Sequence, residues 1–495
     1  DKEYPQSSVD LLWLKPRDSV RTIGDFRRTL ISQFYDAMLN ARFAEIAQRA
    51  DAPFAFASGA RGAFVRTKDA YQLYAGVKES GFARAAEALL AEAERIRRFG
   101  FIQRELDRQR SNLLRSMEQQ FAERDKTNSS SYVDEYVSSA LWETPIVGIE
   151  QEEPLAMQLA PTISVAEVNA LSLTSFGNKD RVVLVAAPAK PDVHIPTAQE
   201  MLGVFDIAAN LTLTAYVDST SSDALVPNPP VPGTIVGQDT LPETGIIVWH
   251  LSNGAKVLLK PTDFKADEVL FAARSPGGES LVADSDVVNA DLSSVVMSRS
   301  GVGTFNAIAL GKKLAGKKVN VAAGIDGTGE GVRGTASVQD METLFQLAWL
   351  RMASPRVDTS AYLAFKEQMR AVLANQKNDP ESVFGDTVEA TMAQHNTRVH
   401  LLSSALLDSV KLGRAFAIYR DRFADASGFT FFIVGSFKPD SVRPLVERYL
   451  GSLPALDRHE KVKDGGIRPP PGVVVKTVHK GVEPKAETSL IFSGV

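Results

Sequence analysis

The 495-residue sequence is long enough for about two to four domains with cores of their own, and its 44% hydrophobic content is ordinary globular material. A net charge of -5 argues against a general nucleic-acid binder, and the absence of cysteine excludes disulfides and thiolate zinc sites while leaving the compartment open. No apolar run approaches the roughly 20 residues that a membrane-spanning helix needs.

The opening DKEYPQSSVDLLWLK reads as a charged lead-in to a strand at 4–15, without a signal peptide and as if cut from a longer protein. Thr22-x-x-Asp25 predicts a capping box, and Phe26, Leu30, Phe34, Met38, Phe43 and Ile46 then mark one face of a long helix. Strands are expected at 54–65 and 71–77 around a charged turn at 66–69, followed by a helix that Ser80 caps and Gly100 ends. A heavily charged helix is predicted over 103–124. There Arg104, Arg108 and Arg110 alternate with Glu105 and Asp107 in the manner of solvated faces. Short helices at 134–141 and 165–171, an apolar strand at 182–187 and a helix at 198–209 complete a first domain, 1–217.

Residues 218–245 carry Pro227, Pro229, Pro230, Pro232 and Pro242 among small polar residues, a composition that builds no core and reads as a linker. The second domain, 246–456, opens on the stretch WHLSNGAKVLLKPTDFKADEVLFAARSPGGESL. Within it Asn253-Gly254 supplies a tight hairpin, and a strand at 269–273 runs into Ser275-Pro276-Gly277-Gly278. A helix follows near Asp284. Strands at 319–325 and 332–336, helices at 341–352 and 358–377, a helix capped by Asp379-Pro380, a strand at 429–434 and a helix at 439–450 then repeat the plan of the first domain. Residues 457–472 read as a second linker, and 473–495 as the first strand of a truncated further domain. The fold class expected is α+β, two homologous domains, each a largely antiparallel sheet with helices on one face.

The strands, the PGG turn and the following helix resemble the opening of a domain in the pitrilysin/insulinase family of zinc peptidases, whose catalytic domain carries the inverted motif H-x-x-E-H on that helix. Two histidines at i and i+4 share a helix face and reach one zinc, while the glutamate polarises the attacking water. Here the helix reads DVVNADLSSVVMSRSGVGTF. The family pattern puts Asp291 and Val295 at the histidine positions and Ser294 at the glutamate position. Valine has no lone pair for a metal, and Val288, Leu292, Val295 and Val296 read as a core-facing stripe. None of His194, His250, His395, His400, His459 or His479 has Glu at +3 and His at +4, so each reads as a surface or core residue, and no catalytic, cofactor-binding or metal residue is assigned. Gly329-x-Gly331-x-x-Gly334 fits a dinucleotide fingerprint. It alternates as a strand, however, and its helix starts too late to hold a pyrophosphate, so nucleotide binding is set aside, as is a serine hydrolase for want of a G-x-S-x-G elbow.

The resemblance implies four homologous domains in two halves that close like a clamshell over unfolded peptides, with this chain as the second and third domains. By that comparison the zinc-binding first domain would precede Asp1, and a substrate-contacting arginine and tyrosine would follow Val495. The chain would then be a non-catalytic portion of a zinc metalloendopeptidase forming chamber wall, with polypeptide as substrate, no zinc of its own and no membrane span. The alternative is an inactive homologue serving as scaffold or partner of a separate catalytic chain. A periplasmic location follows from the resemblance to bacterial members alone.

Overall fold

The computed structural model describes residues 6–493 except 19, 79, 178, 192, 220, 221 and 483, so the first two residues of the strand expected at 4–15 and the last two of the expected tail strand lie outside the described residues. The first half runs β1 (Ser7–Pro16), α1 (Ile23–Ala47), β2 (Phe56–Val65), β3 (Lys68–Val77), α2 (Phe82–Phe99), α3 (Gln103–Ala122), α4 (Ser129–Trp142), α5 (Ile149–Leu159), α6 (Val165–Ala170), α7 (Ser172–Ser175), β4 (Arg181–Ala186) and α8 (Ala198–Asn210). The second half runs β5 (Ile235–Leu241), β6 (Ile246–Leu251), β7 (Lys256–Pro261), β8 (Val269–Pro276), α9 (Val287–Ser300), α10 (Ala307–Lys313), β9 (Val319–Asp326), β10 (Gly329–Ala336), α11 (Met341–Ala353), α12 (Thr359–Gln376), α13 (Pro380–Met392), α14 (Ser404–Ser409), α15 (Leu412–Arg422), β11 (Thr430–Gly435) and α16 (Pro439–Leu445).

The first sheet has the order β2-β3-β1-β4, every pair antiparallel. The second has the order β5-β6-β7-β11-β8-β10-β9, in which β9-β10-β8-β11 repeats the first sheet strand for strand and only β7 and β11 pair in parallel. The duplication read from element order is thus a duplication of topology. Each sheet has its own core: Val9, Leu11, Trp13, Phe34 and Leu73 in the first, Trp249, Phe271, Phe345 and Phe431 in the second. The expected hairpin forms, with Trp249 opposite Val257 and Gly254 at φ 85°.

Four expectations need correcting. Residues 235–241, assigned to the linker, form the edge strand β5 paired with β6, and Leu225 and Val226 of the same segment enter the second core. Their spacing between prolines hid that burial. Ser80 does not cap α2: it adopts φ 60°, and its hydroxyl accepts from the backbone NH of His194 at 2.9 Å. The charged face of α3 is not simply solvated. Glu105 is buried against Arg42, Arg108 pairs with Asp218 at 2.7 Å, and Arg115 pairs with Asp267 of the second half at 2.7 Å. Finally, no strand forms among the described residues of 457–493, and Val473 and Phe492 lie in the open. A strand needs a neighbour to take up its backbone groups, and none is offered there.

The halves meet along a polar seam. Lys312 of α10 reaches Glu45 of α1 at 2.7 Å, Asp218 at 3.0 Å and the Tyr216 hydroxyl at 2.9 Å, and Gln368 donates to the carbonyl of Ala47 at 3.1 Å. The segment following α16 straps the second half. Asp425 accepts from the backbone NH groups of Leu456 and Arg458, each at 2.8 Å, and Arg422 forks onto Glu460 at 2.9 and 2.8 Å.

Candidate functional site

The place to look for chemistry is the PGG turn and α9, where the family pattern would set a metal. Gly277 and Gly278 take φ 133° and 56°, conformations that L side chains resist, and so swing the chain from β8 back over β10. The turn is held from below by the buried Glu330 on β10, whose carboxylate accepts from the Gly278 NH at 2.9 Å. Arg398 holds it from the side, donating to the carbonyls of Glu279 at 2.6 Å and Val282 at 3.3 Å and pairing with Asp284.

This scaffold brings Glu279 against Asp291, twelve positions later on α9. Burial, then the hydrogen bond and negative charge of Asp291, push Glu279 up to about 8. Asp291 is raised as well, by burial, while its hydrogen bond to Glu279 and the charges of His400 and Arg398 draw it back. The two carboxyls therefore hold a proton between them in the neutral range. Glu330 is pushed up to about 7, chiefly by burial, against the opposing pull of the Gly278 NH and Arg422.

The other residues singled out from sequence do not join them. Ser294 accepts the Ile325 NH on its hydroxyl at 2.9 Å, which ties α9 to β9. Of the expected core-facing stripe, Val296 is fully buried and Val288 and Leu292 pack against the core, while Val295 alone is 40% exposed. The buried face also takes in Val287, Ala290, Ser293, Met297 and Ser300, because small residues there let α15 pack close, with the Ser293 and Ser300 hydroxyls returning to carbonyls of their own helix. His395 and His400 follow the end of α13, so neither lies on a helix. His194, His250 and His459 pair singly with Glu200, Asp239 and Asp457. Gly329, Gly331 and Gly334 lie on β10 between β8 and β9, where a side chain at Gly331 would meet the Ala273 carbonyl at 2.5 Å.

These residues do not fit a zinc ion. Asp291 shares a proton with Glu279, Ser294 is occupied by backbone and Val295 carries no donor. Among the described residues no group of three or more His, Asp or Glu can hold a metal. What the arrangement can do is exchange a proton. The Glu279–Asp291 meeting was not visible in sequence, since twelve positions with an intervening turn carry no helical or strand period.

A pH dependence follows. The folded protein keeps the Glu279 proton to about pH 8, whereas an unfolded glutamate releases it near its ordinary 4.5, so the native state binds more protons across that window and stability falls as pH rises through it. Glu279→Gln, which can still donate to Asp291, is expected to raise the thermal midpoint at pH 8 more than at pH 5. Equal shifts at the two pH values would refute the shared proton.

No family model matches the chain. It is 27% identical over 460 residues to "Zinc protease PQQL-like" of Arabidopsis thaliana, covering 92% of the chain and 42% of that protein. The solved ferredoxin protease FusC, an E83A mutant in complex with Arabidopsis ferredoxin, superposes with a TM-score of 0.57 at 18% identity, covering 92% of the chain and 51% of that one. Pitrilysin superposes at 0.52 with 14% identity, covering 93% and 48%. The chain spans about half the length of the curated relatives it matches, 42 to 49%. No described helix is long and apolar enough to cross a membrane. In sequence the chain is thus similar to proteins named as zinc proteases, and in fold it is similar to pitrilysin, in keeping with the resemblance to the pitrilysin/insulinase-like zinc peptidases.

Proposed function

We propose that this chain is the non-catalytic portion of a zinc-dependent metalloendopeptidase, forming part of the wall of a chamber that takes unfolded polypeptide, with the zinc held elsewhere in the whole protein. The observation that carries the reading is α9. In a chain homologous to half of a zinc protease, it offers Asp291, Ser294 and Val295 where the inverted motif would offer two histidines and a glutamate. Two cores with repeated strand order support the division into domains at 1–217 and 246–456, with β5 added to the second. The ferredoxin bound by FusC supports a polypeptide substrate. The periplasmic location implied by the resemblance is our expectation and is tested by fractionation.

The test compares the intact native protein with this chain alone, using metal analysis and cleavage of an unfolded protein with and without chelator. We expect stoichiometric zinc and chelator-sensitive cleavage in the intact protein, and neither in the chain. Stoichiometric zinc in the chain alone would refute the reading. An intact protein that neither holds zinc nor cleaves would replace it with the scaffold or partner-subunit role.

A further inference from the structure

The strap that follows α16 and the buried carboxyl of Glu330 face one another across a cavity of about 270 Å³, lined by His459, Glu460 and Lys461 from the strap and by Glu330, Arg422 and Asp425 from the body. Arg422 links the two sides. Its buried guanidinium forks onto Glu460 of the strap and donates to Asp421 at 3.1 Å, while its Nη1 stands 3.1 Å from where a Cβ on Gly277 would lie. The next residue of that turn gives its NH to Glu330. One arginine therefore serves a carboxylate that seats the strap and lies within electrostatic reach of another that holds the PGG turn.

The strap itself supplies part of what disfavours a charge on Glu330. Burial pushes Glu330 up to about 7 and the Glu460 charge raises it further, against the Gly278 NH, Arg422 and the Ser275 hydroxyl. Arg274 of β8 also feels the Glu330 charge, and Asp425 across the cavity is engaged by the NH groups of Leu456 and Arg458. Lys461 would favour ionised Glu330, but it is exposed and water screens it, and His459 pairs with Asp457 in the open. Lifting the strap removes both its cover and the Glu460 charge, so the seated strap binds the Glu330 proton more tightly than the lifted one. By linkage, loss of that proton favours lifting.

We propose that the strap is a proton-operated clasp: with Glu330 neutral, Arg422 holds Glu460 and residues 456–463 stay seated, and with Glu330 ionised, Arg422 turns inward and they lift. The proton passes from Glu330 to water and back. Asn396 on the Gly465 carbonyl and Gln394 on the carbonyls of Arg468 and Pro469 keep the chain tethered beyond the lifted part, so the movement opens the cavity beside the PGG turn without freeing the strap.

The test is hydrogen exchange by mass spectrometry on the intact protein at about pH 6 and pH 8.5, with each rate divided by that of the unfolded chain at the same pH. Peptides covering 456–463 report the clasp, since Leu456 and Arg458 donate to Asp425 and the Lys463 NH to Ser280. We expect their protection to fall about threefold or more between the two pH values. E330Q, whose amide oxygen still accepts the Gly278 NH, is expected to keep the strap protected at both. E460Q frees Arg422 and is expected to lower protection about threefold at pH 6 already; it lies on the strap and leaves the core intact, so it tests the clasp whether or not E330Q folds. Wild-type protection that does not change with pH overturns the proposal. So does an equal fall in E330Q, or wild-type protection in E460Q at pH 6.

Discussion

Arg42→Ala is expected to cost about 3–5 kcal/mol in denaturation of the first domain, the range for removing one partner of a buried ion cluster. Arg42 is 2% exposed. Its guanidinium reaches Glu105 at 2.7 and 2.8 Å, Glu92 at 2.9 Å and the carbonyl of Gly100 at 3.2 Å. It also lies over the rings of Phe101 and Tyr216 at 4.8 and 4.2 Å. One side chain of α1 thus fastens α2, α3 and the stretch at Tyr216 that leads into the linker. Alanine would strand the Glu105 carboxylate in the interior and leave Glu92 with Arg95 alone, and the greater part of the cost is that of these under-compensated buried charges. The triple variant R42M/E92Q/E105Q removes all three charges and is expected to recover most of the loss, because the amide oxygen introduced by E105Q still accepts the Ile102 NH that Glu105 accepts at 2.9 Å. A loss below about 1 kcal/mol for Arg42→Ala, or no recovery in the triple variant, would show that the cluster is not what joins these helices.

Gly278→Ala should be comparably damaging in the second domain. A Cβ at this position would lie 2.1 Å from the carbonyl oxygen of Asp326 and 2.3 Å from the backbone nitrogen of Gly329, neither of which can swing away as a side chain would. The left-handed φ adds its own cost of about 1–2 kcal/mol, and overpacking against backbone about 1–3 kcal/mol, for a total of about 2–5 kcal/mol. The β9–β10 turn and the PGG turn would have to separate, releasing the Gly278 NH from Glu330 and exposing a carboxyl held in the interior with a pKa near 7. The measurement is second-domain denaturation of Gly278→Ala at pH 6 and pH 8. A stability within about 1 kcal/mol of wild type would mean the turn adapts and is not the fixed point of the site.

Local chemistry was enough to read much of this protein. The capping box at Thr22, the Asn253-Gly254 hairpin and the Asp379-Pro380 helix start form as their residues dictate, because a cap or a tight turn is satisfied within a few positions. The repeated order of elements was legible for the same reason: period 2 and period 3.6 mark faces wherever they occur. The absence of H-x-x-E-H from the chain is likewise a fact of the sequence itself, whatever the fold.

What only the tertiary structure decided is which face meets which partner. Val295 dropped out of the expected stripe while Val296 stayed in the core, and Ala290 and Ser293 joined the buried face, because close helix packing rewards small residues that carry little hydrophobic signal. The charges of α3 looked solvated until Arg42, sixty-three positions from Glu105, was seen to meet them. Leu225, Val226 and β5 sat among prolines yet joined the second half. Glu279 and Asp291 share a proton only because the PGG turn folds one onto the other. Periodicity fixes that a residue has a face, while the free energy of what lies opposite depends on contacts between segments far apart in the chain.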